Sequence, residues 1–324
     1  MKLRKLGQTN MHVTPVGLGC MGFSHAYGVA EDKQKAIETI QKAYDLGYNF
    51  FDTAECYTGV NEDGTISYNE EIVGEALKDV RDKVVIASKF GVTHKGDHLE
   101  FDSSPETIRR SIEGSLKKLQ TDYIDLYYQH RIDPQVEPEV VAGVMKELIE
   151  ESKIKAWGIS EVNEDYLRRA HAVCPVTAIE NRYSMMATWH EHLFDVCEEL
   201  GITYVAFSPM ANGLLSGQFT DQSAFGKGDF RNNMPQYQKE GYKKAEKLLN
   251  LLKELSEKKH CTMAQLSLAW MMCKKDFIVP IPGSRKLERI EENFNAANIE
   301  LTPDEIKVID DLIHSIDFDV FGGH

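Results

Sequence analysis

Apolar and polar positions along this chain follow two alternating periods, and the alternation repeats eight times. Short apolar runs with the β-branched and aromatic content of strands are expected near 16–21, 49–54, 83–90, 123–130, 154–160, 177–183, 203–208 and 277–282. Between them apolar residues recur every three or four positions. Ala36, Ile37, Ile40, Ala43 and Tyr44 form one stripe, and Ile108, Ile112, Leu116 and Leu119 another, as on helices that bury one face. Ser104-Pro105-Glu106 and Thr302-Pro303-Asp304-Glu305 each supply a cap, a first-turn proline and an acidic first turn. Alternating strands and helices require a parallel sheet with helical crossovers. Eight units over about 250 residues or more predict an α/β fold, a closed (β/α)8 TIM barrel, ahead of an open doubly wound sheet.

Residues 1–15 read as a β-hairpin turning at Gly7-Gln8-Thr9-Asn10. This hairpin, a last helix from Pro303 to about Ser315, and the tail Phe318–His324 fall outside the barrel count. No stretch rich in Pro, Gly or Ser divides the chain, so residues 1–324 are expected to form a single domain. Segment 211–240 is polar, bears glycines and is long for a connection, so it is expected to fold over a ligand.

Composition narrows the function. Hydrophobic residues at 42% and charged residues at 27% are ordinary for a globular protein. A formal charge of -14 argues against nucleic-acid and anionic-membrane partners, which need a basic face. The six cysteines lack CxxC spacing, which suits reduced thiols in the cytoplasm. His190 and His192 are two apart, poor spacing for helical ligands, so no metal is expected. Gly17-Leu18-Gly19-Cys20-Met21-Gly22 matches a dinucleotide-binding pattern, but no helix opens at its third glycine. These glycines are expected instead to let a ligand approach the exit of the first strand.

Three apolar runs end on reactive side chains: Asp52, Lys89 and His130, with Tyr57 five positions after Asp52. Carboxyl ends of barrel strands are where such folds place their chemistry. A tyrosine holds its proton too tightly at neutral pH, and a nearby ammonium lowers its pKa. Lys89 could supply that charge, Asp52 could partner Lys89, and His130 could orient a carbonyl by hydrogen bonding. The set suits proton delivery to an oxygen that becomes an alkoxide. A helix cap, a rim lysine and a structural histidine are the bland alternatives for each residue alone. A barrel isomerase or lyase and a cofactor-binding sensor subunit remain open as well.

From Leu3 to about Leu312 the chain resembles the aldo-keto reductase superfamily. The resemblance is carried by Phe51-Asp52-Thr53-Ala54-Glu55-Cys56-Tyr57, Ile86-Ala87-Ser88-Lys89-Phe90-Gly91, Asp122 to His130, Gly158-Ile159-Ser160-Glu161 and Ile281-Pro282-Gly283-Ser284-Arg285. It is closest to the bacterial and plant-type branch with pyridoxal and broad-range aldehyde reductases, and to potassium-channel β subunits. The resemblance implies Tyr57 as general acid, Lys89 lowering its pKa, Asp52 paired with Lys89, and His130 orienting a small-molecule carbonyl substrate. It implies NADP(H), with NADPH favoured over NADH. It also implies cofactor contacts from Met21, Asp52, Ser160, Glu180, Phe207, Ser208, Pro209, Met210, Gly213, Leu215, Gly283, Ser284, Arg285, Arg289, Glu292 and Asn293. Phe207 stands where the family has Tyr or Trp stacked on the nicotinamide. Glu180 stands where relatives generally have Gln. Arg182, two residues on, could neutralise Glu180 as a swapped ion pair. Alternatively, a net negative charge at Glu180 would favour the cationic oxidised ring. Substrate walls are expected from Phe23, Tyr27, Cys56, Tyr57, Phe90, Trp189 and parts of 211–240. Oligomeric state is not encoded in any pattern of the chain.

Overall fold

The computed structural model describes residues 1–96 and 98–321. Eight strands form one parallel sheet: β1 (Leu18–Gly19), β2 (Phe50–Asp52), β3 (Val85–Phe90), β4 (Ile124–Gln129), β5 (Ile154–Ser160), β6 (Ala178–Arg182), β7 (Thr203–Phe207) and β8 (Ile278–Pro280). Neighbours in the sheet follow chain order. The sheet closes on itself, because Gly17 N–H donates to Pro280 O at 3.0 Å and Gly19 N–H to Pro282 O at 3.3 Å.

Helices cover the outside. α1 (Lys33–Leu46), α2 (Asn69–Leu77), α3 (Pro105–Leu119), α4 (Pro138–Glu150), α5 (Glu164–Val173) and α6 (Phe194–Leu200) follow the first six strands. α7 (Lys239–Lys259) and α8 (Met263–Lys274) both precede β8, and α9 (Leu287–Asn295) and α10 (Pro303–Ile313) follow it. The anticipated caps form. Ser104 Oγ accepts from Thr107 N–H, and Thr302 with Glu305 makes a reciprocal capping box. Among the described residues, no helix is long and apolar enough to cross a membrane.

The barrel interior shows how strand periodicity builds a site. Val85 and Ala87, Leu126 and Tyr128, Ala156, Ala178, Val205 and Phe50 pack together inside the barrel, and Leu6 and Val13 of the amino-terminal hairpin join the same cluster. Successive side chains alternate faces along a strand. The next inward positions are therefore Asp52 after Phe50, Lys89 after Ala87, His130 after Tyr128, Glu180 after Ala178 and Phe207 after Val205. Apolar layers fill the barrel, and the layer above them is chemical.

Gly17 and Gly19 allow the barrel to close, and Gly19 and Gly22 also line the cavity at the carboxyl ends of the strands. A Cβ on Gly17 would stand 2.6 Å from the Phe50 ring, and one on Gly19 would stand 2.6 Å from Ile281 O. Two hairpins lie outside the expected strand set, Thr58–Val60 with Ile66–Tyr68 and Val92–Lys95 with His98–Phe101. The first turns at Asp63-Gly64, where Gly64 has φ +84 and Asp63 Oδ1 accepts from Thr65 N–H at 2.9 Å.

Segment 211–240 folds as short 3-10 turns and docks across the barrel mouth, with Tyr27 bridged to Asp229 and Phe230 N–H donating to Ala26 O at 3.1 Å. The tail joins it, as Phe321 N–H donates to Gln236 Oε1 at 3.0 Å. Tail residues 322–324 lie outside the described residues.

Candidate active site

A cavity of about 650 Å³ opens at the carboxyl ends of the strands. Its lining includes Asp52, Tyr57 and His130, together with Met21, Ser160, Glu180, Phe207, Ser208, Pro209, Met210, Gly213, Gly283, Ser284, Arg285, Arg289, Glu292 and Asn293. Lys89 lies beneath the floor with no exposed surface. Leu215, anticipated as a cofactor contact, is instead a fully buried core residue outside the lining. Phe23, Phe90 and Trp189 also pack away from the cavity, and His25, His94, Leu99, Phe230 and Phe321 stand in the wall. Phe230 belongs to the anticipated segment 211–240, whereas His25, His94, Leu99 and Phe321 were not anticipated because no strand period reaches them.

Lys89 organises the floor. Its Nζ lies 2.5 Å from Asp52 Oδ1, 3.3 Å from Glu180 Oε1, 3.0 Å from Thr53 O and 3.4 Å from Tyr57 Oη. Burial opposes its charge, but Asp52 and then Glu180 outweigh that cost and hold its pKa above the ordinary lysine range. The anticipated Asp52–Lys89 pair is present.

Glu180 departs from expectation. It pairs with Lys89 rather than Arg182, whose guanidinium lies over the Phe207 ring at 4.9 Å. Burial and then Asp52 push the Glu180 carboxyl far above the usual range, to about 8. Asp52 Oδ2 and Glu180 Oε2 have no other hydrogen-bond partner and interact with each other. One ammonium between two buried carboxyls is neutral only when the carboxyls share one proton, and a net buried charge would be costly. Burial and the Asp52 carboxylate therefore disfavour the net negative charge anticipated at Glu180.

This arrangement has a consequence for stability. Glu180 ionises near its ordinary 4.5 when unfolded and near 8 when folded. Between those values the folded chain binds more protons, so Glu180 makes stability fall as pH rises. The stability gain of Glu180→Gln over wild type should widen from pH 5 to pH 8 in urea titrations. A pH-independent gap would show that the proton is not held there.

Tyr57 also differs in net direction. Burial raises its pKa above that of free tyrosine, and Lys89 opposes the rise without overcoming it. In the ligand-free protein the phenol is therefore fully protonated. Lys89 acts in the anticipated direction, but its larger effect falls on the phenolate once a proton leaves.

His130 is fully buried and held well below its ordinary pKa by burial, then by Arg131 and Lys89, so its ring is neutral. Cys56 Sγ lies 3.4 Å from His130 Nδ1, and burial pushes the thiol up to about 12. A protonated thiol can donate to Nδ1, an arrangement that would leave the ring proton on Nε2. Cys56→Val should release this tautomer and lower kcat several-fold with little change in thermal stability; unchanged kcat would remove Cys56 from the site's function.

Residues not anticipated hold the Tyr57 loop. Asn69, fully buried, accepts from Thr53 Oγ1 at 2.7 Å and donates to Cys20 O at 2.9 Å and Ser24 Oγ at 2.8 Å, and Ser24 Oγ donates to Tyr57 O at 3.0 Å. A lone Asn at a helix start carries no sequence signal for such a brace.

Residues 15–314 match the model of the aldo/keto reductase family. The chain belongs to this family. A probable aldo-keto reductase 1 from Glycine max is 37% identical over 308 residues, covering 94% of this chain and 87% of the relative. A solved aldo-keto reductase from Bacillus halodurans, in its holo form, superposes with TM-score 0.78 at 27% identity, covering 100% of this chain and 99% of its own. Another from Klebsiella pneumoniae, solved with NADP and acetate, shares the fold at TM-score 0.72 and 23% identity, covering 97% and 96%. Family membership brings with it oxidoreductase chemistry and the (β/α)8 barrel.

Proposed function

We propose that this aldo/keto reductase uses NADPH to reduce aldehydes or ketones to alcohols, with Tyr57 as the general acid. One observation carries the reading: Tyr57 Oη stands at the cavity floor, 3.4 Å from an ammonium clamped between two buried carboxyls. In that place a phenol can release its proton into the cavity and remain beside a permanent positive charge.

The groove toward α9 suits NADP(H). Ser284 and Arg285 precede the helix, and Arg289, Glu292 and Asn293 line the cavity from one helix face. Arg285 donates to Gly22 O at 2.5 Å and Val29 O at 3.0 Å, while its Nη2 is buried without a partner. Arg285 and Arg289 both line the cavity at the start of α9, two cations that suit a phosphate and support NADP(H) over NAD(H). Bound there, the nicotinamide supplies hydride.

The remaining chemistry belongs to the chain. His130 Nε2–H donates a hydrogen bond to the substrate carbonyl oxygen and orients it. Tyr57 Oη–H passes its proton to that oxygen as it gains negative charge. Lys89 stabilises the phenolate left behind, and Asp52 and Glu180 hold Lys89 in place. Phe207, half-buried in the wall, offers a ring face for stacking. An NADPH absorbance assay over a panel of aldehydes tests the reading. Turnover dependent on aldehyde is expected, and failure of every aldehyde and ketone to oxidise NADPH would refute it.

A further inference from the structure

Arg182 is 9% exposed and lines the cavity, yet its guanidinium makes no hydrogen bond or ion pair with any described residue. Three other cavity arginines are engaged by protein groups, while Arg289, placed on the cofactor side, lies over the Phe219 ring at 5.8 Å. Arg131 donates to Ser160 Oγ at 3.0 Å, Arg231 pairs with Asp229 at 2.6 Å, and Arg285 donates to two carbonyls. Arg182 has only ring faces, those of Phe207 at 4.9 Å and Phe321 at 5.9 Å. The Glu161 carboxylate, which acts on Arg182 through space, accepts from the Arg182 backbone N–H at 2.7 Å and lies 3.7 Å from His190 Nε2. The guanidinium nitrogens are not sealed from the cavity, unlike Arg285 Nη2. A buried cation held open by two aromatic rings is poised for an oxyanion, with its side-chain entropy already lost to packing.

Its position relates it to the chemistry. Glu180 and Arg182 are two apart on β6 and share a strand face. Arg182 thus stands about 6.6 Å along the strand from Glu180, toward the mouth. Glu180 contacts Lys89, and Lys89 contacts Tyr57. A molecule whose carbonyl lies at Tyr57 can extend up the same wall to Arg182. Phe321, Phe230 and His25 continue that wall, with ring centroids 6.3 Å apart for Phe230–Phe321 and 6.5 Å for His25–Phe230.

We propose that Arg182 receives the anionic group of the substrate, so that the enzyme prefers aldehydes or ketones bearing a carboxylate or phosphate. This rests on the reductase reading and names its substrate class. Burial disfavours the charge of the guanidinium, Glu161 offsets this only in part and without touching it, and an oxyanion in the cavity would supply a direct partner.

The test compares 3- and 4-carboxybenzaldehyde with the corresponding carbamoylbenzaldehydes, which are neutral and similar in shape. With wild type, kcat/KM for the better acid should exceed that for its amide by ten-fold or more. Arg182→Gln should reduce the acid's kcat/KM at least ten-fold more than the amide's, mainly through KM, and Arg182→Lys should retain part of the preference. Equal losses on acid and amide would overturn the proposal in favour of a packing role. Weakened NADPH binding in a fluorescence titration, with the acid preference intact, would instead assign the oxyanion to the cofactor. Calorimetry of 4-(hydroxymethyl)benzoate and its amide on NADP⁺-loaded protein reads the anion site without turnover. Equal affinities there sink the proposal, whereas benzoate preference without NADPH oxidation by any aldehyde sinks only the reductase reading.

Discussion

Tyr57→Phe should lower kcat by about 10²- to 10⁴-fold, the range of a lost general acid, while NADPH still binds. The substitution removes only Oη. The ring contacts to His25 at 5.9 Å and His130 at 5.6 Å are available to Phe as well, so the loop should hold its shape. His130, Cys56 and Lys89 are not placed to substitute. His130 is neutral, Cys56 keeps its thiol proton until about 12, and Lys89 is tied to Asp52 and Glu180. Steady-state kinetics with any accepted aldehyde, beside an NADPH fluorescence titration, checks both halves. Retained turnover would remove Tyr57 from the proton step and leave cofactor binding unexplained by it.

Lys89→Met should have the largest effect on folding as well as on activity. Methionine is of similar length and fills the space. It leaves Asp52 and Glu180 buried with no cation, and breaking a buried pair in this way costs about 3–5 kcal/mol. The two carboxyls would then take up protons, since burial already raises both pKa values and Lys89 is the group that opposes the rise. With both raised further, stability should fall more steeply with pH in the variant than in wild type. The variant should regain part of its loss at pH 5, and adding Glu180→Gln should recover part of it at neutral pH. Urea denaturation across pH reads both effects. A pH-independent loss would point to packing rather than charge. Turnover should also fall by orders of magnitude, because a phenolate at position 57 would have no neighbouring cation.

The asymmetry between anticipated and observed features is physical. Asp52, Lys89 and His130 were legible because each ends an apolar strand, and strand ends converge in a closed barrel. Tyr57, on a loop that follows no period, was marked by its place five positions after Asp52, and the family resemblance implied its role. The partner of Glu180 was misread because two residues apart on one strand share a face without necessarily touching. Lys89, on a strand not adjacent to β6 in the sheet, reaches Glu180 across the barrel interior, while Arg182 turns onto Phe207. The net direction of the Tyr57 pKa was equally hidden. A neighbouring ammonium can be guessed from motif spacing, whereas the burial of the phenol depends on how Val92, His94, Leu99, segment 211–240 and Phe321 cover the mouth.

The chain alone determined its class of architecture, through eight repeats of strand and helix periods, and the inventory of acid, amine, phenol and imidazole at strand ends. These are local properties, readable because side-chain direction follows backbone period. Tertiary structure alone decided that two carboxyls share one lysine, that the Cys56 thiol lies against His130 Nδ1, and that the Arg182 guanidinium faces the cavity without a direct ion pair. Each depends on distances between segments far apart in sequence, and on the removal of water that sets how strongly their charges interact.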